Sequence, residues 1–248
     1  MVVGVLAKAL LAEVGVSVVS HVVNIGGETV GDDAPRPGPD DLDVVDASPV
    51  RCFESEADAR MQSRVERALA DTDTLGGTVE VIAYGLPPGL GSYVHYDRKL
   101  DARIAGACLS VQAMKGVEFG DGFALASRPG SRAHDEIVHE DGDYRRLTNR
   151  AGGLEGGMST GQPLLVRVAM KPISSLPRPL RTVDLDTREA AVAITQRSDA
   201  CAVPRAGVVL ESVVAFELAD ALLEKTGGDT VTEVRRNLDG YLAEIARR

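Results

Sequence analysis

Several things are scarce in this 248-residue sequence, and each shortage excludes something. No apolar run reaches the length of a membrane span, so a spanning helix is not expected. Cysteine is rare: Cys52, Cys108 and Cys201 are far apart and odd in number, and no C-x-x-C pair occurs. Neither a zinc site nor a disulfide framework is expected, and a reducing cytoplasm fits best. Positive charge is in deficit, with 27 Lys and Arg against 37 Asp and Glu, a formal charge of −10 and a pI of about 4.9. That balance argues against a nucleic-acid or anionic-membrane surface. It leaves room for an anionic substrate in a locally basic pocket. No glycine run ends in G-K-[ST], so a Walker phosphate loop is excluded. No internal repeat is visible. No basic region precedes the first apolar stretch and no small-residue cleavage site follows it, so the start does not read as a signal peptide.

What the sequence does have is a glycine-crowded stretch, Asn149 to Ser175. Gly152, Gly153, Gly156, Gly157 and Gly161 share one short loop. An alternating strand follows, and Lys171-Pro172 then precede Ser174 and Ser175. Glycines let a main chain approach a ligand closely and aim its N–H groups. A lysine and two hydroxyls add a point charge and donors. Two readings stand side by side: a cradle for a phosphate-bearing ligand, or a tight loop between strands with an exposed lysine.

Around that stretch the pattern alternates between helix and strand. Val3, Leu6, Leu10 and Val14 recur at helical spacing up to Gly15, so the chain opens within a helix, as a piece cut from something longer would. Val16 to Ile25 reads as a strand, with His21 a structural residue inside it. Residues 26–50, with seven acids, four prolines and one arginine, read as an exposed loop and the part least suited to chemistry. Ser55 to Ala70 reads as a helix with a Ser55/Asp58 capping box and a Met61, Val65, Leu69 stripe. A strand over Thr78 to Tyr84, a helix from about Arg98 to Met114 and a short strand near Val117 follow.

Ser127 to Leu147 reads as a charged, turn-rich loop. A metal site from His134, Asp135, Glu136 and His139 competes there with plain solvation. The segment after Lys171 is extended and punctuated by proline. Arg197 and Asp199 precede a long helix with Leu210, Val214, Leu218 and Leu222 on one face. They read either as an anion fork with a proton-moving carboxylate or as a structural ion pair. Gly227-Gly228 stops that helix, and Asp229 or Thr230 caps a last one. The whole is expected to be a single α+β domain over residues 1–248.

The residues also resemble a known family. The resemblance runs through D-T-L-G-G (Asp73–Gly77), G-L-G-S-Y-V-H-Y-D-R-K-L-D-A-R (Gly89–Arg103) and S-V-Q-A-M-K-G-V-E-F-G-D-G-F (Ser110–Phe123). It continues in A-H-D-E-I (Ala133–Ile137), T-N-R-A-G-G-L-E-G-G-M-S-T-G (Thr148–Gly161) and A-M-K-P-I-S-S-L-P-R-P-L-R-T-V-D-L (Ala169–Leu185). R-S-D-A-C-A-V-P (Arg197–Pro204) and L-L-E-K-T-G-G-D (Leu222–Asp229) complete it. On these motifs the chain resembles the C-terminal portion of chorismate synthase in its actinobacterial form.

The resemblance implies a β-α-β sandwich, a homotetramer in the full-length protein and a cytoplasmic enzyme. The implied reaction is 1,4-anti elimination of phosphate from 5-enolpyruvylshikimate 3-phosphate (EPSP), giving chorismate at the last shared step of aromatic synthesis. It needs reduced FMN without net redox change, and an external flavin reductase is the expected supplier. Residue by residue, the implied flavin contacts are Gln112, Ala113, Gly156, Lys171, Pro172, Ile173, Ser174, Ser175 and Arg197, and Asp199 is the implied proton relay. No metal ligand is implied. Ala200 and Thr72 depart from the family pattern without removing a ligand group.

The family's N-terminal portion, with its G-E-S-H-G motif, histidines and substrate-binding arginines, is not represented. The 248 residues alone are therefore expected to be inactive, at most a flavin-binding or subunit-interaction fragment, with apolar surface left uncovered.

Overall fold

The computed structural model describes residues 1–31, 33–140, 142–195 and 199–247. In chain order its elements are α1 (Val2–Ala12), β1 (Ser17–Ile25), β2 (Glu28–Thr29), α2 (Leu42–Ala47), α3 (Ser55–Ala70), β3 (Gly77–Tyr84), α4 (Leu100–Ser110) and β4 (Met114–Phe119). Then come α5 (Gly130–Ala133), β5 (Ile137–Glu140), β6 (Asp143–Arg146), β7 (Leu154–Glu155), β8 (Met158–Ser159) and β9 (Leu164–Met170). The chain closes with β10 (Arg181–Val183), β11 (Ala190–Val192), α6 (Val203–Thr226) and α7 (Val231–Ile245). The architecture is α+β, as expected.

Five strands form an antiparallel sheet in the order β2-β1-β3-β9-β4. Period-two alternation gives the sheet two different faces. Val18 and Val22, Val79 and Val81, and Val166 and Val168 point into the main core. There α6 lies across the sheet, with Leu210, Val214, Leu218 and Leu222 fully buried. The helix packs closely because Gly207 faces Ser20 of β1, whose Oγ lies 3.3 Å from where a Cβ would be. Gly4 does the same for α1, since a Cβ there would land on Ser212 of α6. Helices α1 and α4 flank α6 on the same side.

The opposite face carries a polar ladder. His21, Glu80, Arg167 and Glu118 are consecutive cross-strand partners on β1, β3, β9 and β4. Beside them Val19, Ile82 and Leu165 form a small apolar patch with Leu42 and Tyr84. Glu80 is 1% exposed and is the hub. It meets His21 Nε2 at 3.2 Å and accepts hydrogen bonds from Arg36 Nε at 2.7 Å and Arg167 Nε at 2.9 Å. Burial alone would push its carboxyl up. The hydrogen bonds from His21 and Arg36 and the charges of Arg36 and Arg167 outweigh that and hold it at about 2.

Several local expectations are corrected by packing. On α1 the buried residues are Gly4, Ala7 and Leu11, while Val3 and Leu6 face outward. The cap of α3 is Glu54, whose carboxylate accepts from the N–H groups of Glu56 and Ala57; Asp58 bonds Ser48 and Gln62 instead. Ala68, not Leu69, completes the buried face of α3. Helix α4 stops at Ser110, and Met114 already belongs to β4. Thr230 caps α7 in a full capping box with Glu233. Residues 26–50 are mostly exposed but hold β2, α2 and the buried Val45 and Val50. The proline-punctuated segment after Lys171 contains the β10–β11 hairpin. Cys52 and Cys108 are buried free thiols pushed up by burial to about 11 and about 12, which leaves them unreactive.

Glu80 binds fewer protons in the folded chain than in the unfolded one. Its contribution is therefore complete above about pH 4.5 and is lost as pH falls toward 2. Urea midpoints followed from pH 6 to pH 2.5 should fall more steeply for the native chain than for Glu80→Gln. At neutral pH that substitution should cost about 3–5 kcal/mol, because it removes the buried partner of two guanidinium groups.

Candidate functional site

The residues expected to bind a ligand gather at two places, one at each end of β9. The first is where β3 begins. Asp73 to Gly77 forms the lead-in to β3, and two other segments are seated on it. The Thr74 hydroxyl donates to the Ile173 carbonyl at 2.7 Å. The Leu75 N–H donates to the Ala200 carbonyl at 2.7 Å, and Leu75 bridges Cys201 in parallel. A Cβ at Gly76 would clash with the Met170 carbonyl oxygen and fall 2.9 Å from Pro172 Cδ, so only glycine lets these segments approach. One step further, the Lys171 N–H donates to the Ala113 carbonyl at 3.0 Å. Ala113, Lys171, Pro172, Ile173, Ser174, Ser175 and the start of the Asp199–Cys201 segment thus share one end of the sheet.

The chemistry of that cluster suits an anionic, phosphate-bearing ligand. Gln112, Lys171, Pro172 and Ser174 are exposed. Among the described residues no carboxylate pairs with Lys171, so its ammonium is available to an anion. Ala113 holds φ at 69°, a left-handed conformation uncommon for a residue with a side chain. Strain of that kind persists where surrounding contacts fix it, and here the bond to Lys171 does so. Asp199 is exposed and pairs with Arg205, in the first turn of α6. The structural ion-pair alternative is therefore present at Asp199, with Arg205 as its partner. Arg197 lies outside the described residues.

Gly156 does not join this cluster within one chain. It lies in the β7–β8 hairpin, beside Gly157, whose carbonyl accepts from the Leu100 N–H at 2.9 Å. Leu100 begins α4 and Ala113 follows its end, so an 11-residue helix, about 16 Å long, separates the two. Gly156 itself is exposed with φ at 61°, and a Cβ built there would meet open space.

The glycine loop is held by a residue that the sequence offered only as a metal ligand. Asp135 is 7% exposed. Its carboxylate accepts from the Thr148 hydroxyl, from the Arg150 N–H at 2.8 Å and from the Ala151 N–H at 3.0 Å. Burial raises its carboxyl, and these donors together bring it below the usual range. His139 stacks on Tyr144 instead, with ring centroids 4.7 Å apart. Among the described residues no group of three or more His, Cys, Asp or Glu is placed to hold a metal. No described helix is long and apolar enough to cross a membrane.

Sequence reasoning missed Arg36, Thr74 and Gly76. The clue to Arg36 was its position as the single cation in an acidic, proline-rich stretch. Thr74 and Gly76 stood inside a quoted motif without a role.

Comparison with known proteins follows the same lines. Residues 1–223 match the family model described as chorismate synthase. Chorismate synthase of Thermobifida fusca (strain YX) is 61% identical over 247 residues, covering 99% of this chain and 63% of that protein. Chorismate synthase of Leifsonia xyli subsp. xyli (strain CTCB07) is 57% identical over 244 residues, covering 98% and 61%. A solved structure described as "Crystal Structure of Chorismate Synthase" superposes with a TM-score of 0.83 at 38% identity, covering 99% of this chain and 68% of that one. The chain thus spans under two thirds of the length of these curated relatives.

Replacing Asp135 with Ala should loosen the glycine loop. Three donors lose a charged acceptor in a nearly buried place, at a cost of about 2–3 kcal/mol. Denaturant unfolding measures the loss. Faster amide exchange at Arg150 and Ala151 than at Val166 would locate it.

Proposed function

The chain belongs to the chorismate synthase family, and on that premise we propose that the whole protein eliminates phosphate from EPSP to give chorismate with the help of reduced FMN. The observation that carries this reading is the convergence of Ala113, Lys171–Ser175 and the Asp199–Ala200 segment on the Asp73–Gly77 lead-in. Two stretches that the family resemblance assigns to flavin, Gln112–Ala113 and Lys171–Ser175, meet at one end of the sheet, beside the segment that holds the implied proton relay Asp199.

That end offers what a flavin phosphate and a substrate phosphate require. Lys171 supplies a point charge, Ser174 and Ser175 supply hydroxyls, and the main chain at Gln112-Ala113 supplies a fixed edge. Reduced FMN, when bound, supplies the electron density that eases departure of phosphate and a nitrogen able to take the C6 hydrogen. In the proposed role Asp199 relays that proton, and Arg197 adds positive charge. For Asp199 to act, Arg205 must share or release it, and both side chains are exposed enough to rearrange. Cytoplasmic location, a homotetramer and an external flavin reductase complete the proposal.

A second reading is favoured by one observation. The outward side of the helical layer leaves Val3, Leu6, Phe216 and Leu223 exposed, between 39% and 67%. Grooves of about 300 and 230 Å³ run between α1 and α6 on this side. A patch of this kind is a docking surface by its chemistry. We read it as the seat of the further length that the relatives carry, which would complete the sandwich. The 248 residues by themselves would then be a flavin-binding or subunit-interaction fragment without turnover.

An anaerobic assay with EPSP and chemically reduced FMN tests both readings. The 248-residue chain should form no chorismate; measurable turnover would overturn the fragment reading. In a whole protein carrying the relatives' further length, Lys171→Ala should weaken flavin binding about tenfold. There Asp199→Ala should lower kcat far more than it weakens flavin binding. Equal losses in both would remove Asp199 from proton transfer.

A further inference from the structure

A cavity of about 620 Å³ lies on the ladder-bearing face of the sheet, away from the Lys171 cluster. Its walls come from the loop before α2, from β3 and β9, from the turn over Gly122–Ser127 and from the entry to the glycine loop. Four arginines line it, Arg36, Arg128, Arg150 and Arg167, against two carboxylates, Asp33 and Asp121. In a chain of net charge −10 such a gathering is against the average.

The pairing of these arginines is uneven. Glu80, beneath the floor, takes both Arg36 and Arg167, so one carboxylate serves two guanidinium groups. Glu118 touches Arg167 only at 4.0 Å. Arg128 is neutralised by Asp121. Arg150 donates to the Arg132 carbonyl and forms no ion pair with any described carboxylate. With Glu80 and Glu118 counted beside Asp33 and Asp121, four carboxylates stand against four guanidinium groups, and the guanidinium that no described carboxylate pairs with is that of Arg150. Leu165, Pro163 and the ring of Tyr84, whose hydroxyl donates to the Pro37 carbonyl at 2.9 Å, supply an apolar wall. The volume lies within the ordinary range for small-molecule sites, roughly 300–1,000 Å³. Guanidinium forks suit the planar two-oxygen edge of a carboxylate or phosphate.

We propose that this cavity is a second binding site, separate from the flavin cluster, for a small molecule that presents a carboxylate or phosphate to Arg150 and an apolar body to Leu165 and Tyr84. It stands independently of the proposed elimination chemistry.

The test is a titration of the 15N-labelled 248-residue chain, followed by amide shifts, with inorganic phosphate, benzoate and methyl benzoate as probes. Benzoate should saturate below about 10 mM and shift the amides of Arg150, Ala151 and Leu165, while methyl benzoate leaves them unmoved. Saturation by phosphate as well would assign the recognition to the oxyanion alone; saturation by benzoate only would assign it to a carboxylate on an apolar ring. Arg150→Met should weaken the anion about tenfold. Arg128→Met should weaken it less, since Asp121 already occupies Arg128. Both side chains can be changed without stranding Glu80. The proposal falls if neither anion saturates, if methyl benzoate binds as well as benzoate, if Arg150→Met leaves affinity unchanged, or if the shifts centre on Lys171–Ser175. That last pattern would leave the flavin reading standing and remove this one.

Discussion

One buried carboxylate sets the terms for the sheet. Glu80 sits in the central strand with almost no contact with water, where an unpaired charge would be costly. It is tolerated because His21, Arg36 and Arg167 reach it from two neighbouring strands and a loop. A one-residue slip of β1 or β9 against β3 would carry His21 or Arg167 to the opposite face and put Ser20 or Val22, or Val166 or Val168, in its place. The ion cluster and the apolar alternation therefore specify the same register. Because Arg36 belongs to the loop before α2, the cluster also pins that loop over the outer face of the sheet.

Fixed register makes the two ends of β9 distinct workplaces. At its start, Asp135 gathers the N–H groups of Arg150 and Ala151 and steadies the glycine loop. At its finish, the Thr74–Gly76 lead-in holds Ile173, Ala200 and, through its missing Cβ, Pro172. The middle of the strand separates the two. Its outer face is occupied by the ladder and its inner face by α6.

Much of this was legible in the residues, and the exceptions have physical causes. The spacing by four in Leu210, Val214, Leu218 and Leu222 gave the core face of α6 because the helix is buried along that side over most of its length. The same logic missed α1, where the close approach to α6 is made by Gly4 and Ala7, and the larger Val3 and Leu6 face outward. Helix spacing marks apolar positions, not which of two apolar faces meets the core. Strand alternation in β3 and β9 was clear, yet nothing in the two strands' own sequences joins Glu80 to Arg167. Only the register shows that they pair. Arg36 was illegible for the same reason: its partner lies 44 positions away in sequence. The Lys171 cluster was legible from motif and resemblance together, but the Thr74 hydroxyl and the Gly76 backbone that seat it bond across the fold and leave no local pattern.

The separation of Gly156 from Lys171 bears on how the proposed flavin site is assembled. A ligand held by Ala113 and Lys171–Ser175 would have to extend over about the length of α4, roughly 16 Å, to lie against Gly156 of the same copy. The glycine loop is anchored by Asp135 and by the Leu100 bond to Gly157, so moving it by a helix length would break a nearly buried charged cluster. Gly156 therefore meets either the far end of an extended ligand in its own copy or a ligand held by another copy. A homotetramer, as proposed for the whole protein, makes the second arrangement available without any change inside the chain. Its open conformation, with φ at 61° and clear space where a Cβ would be, suits a backbone approached from outside.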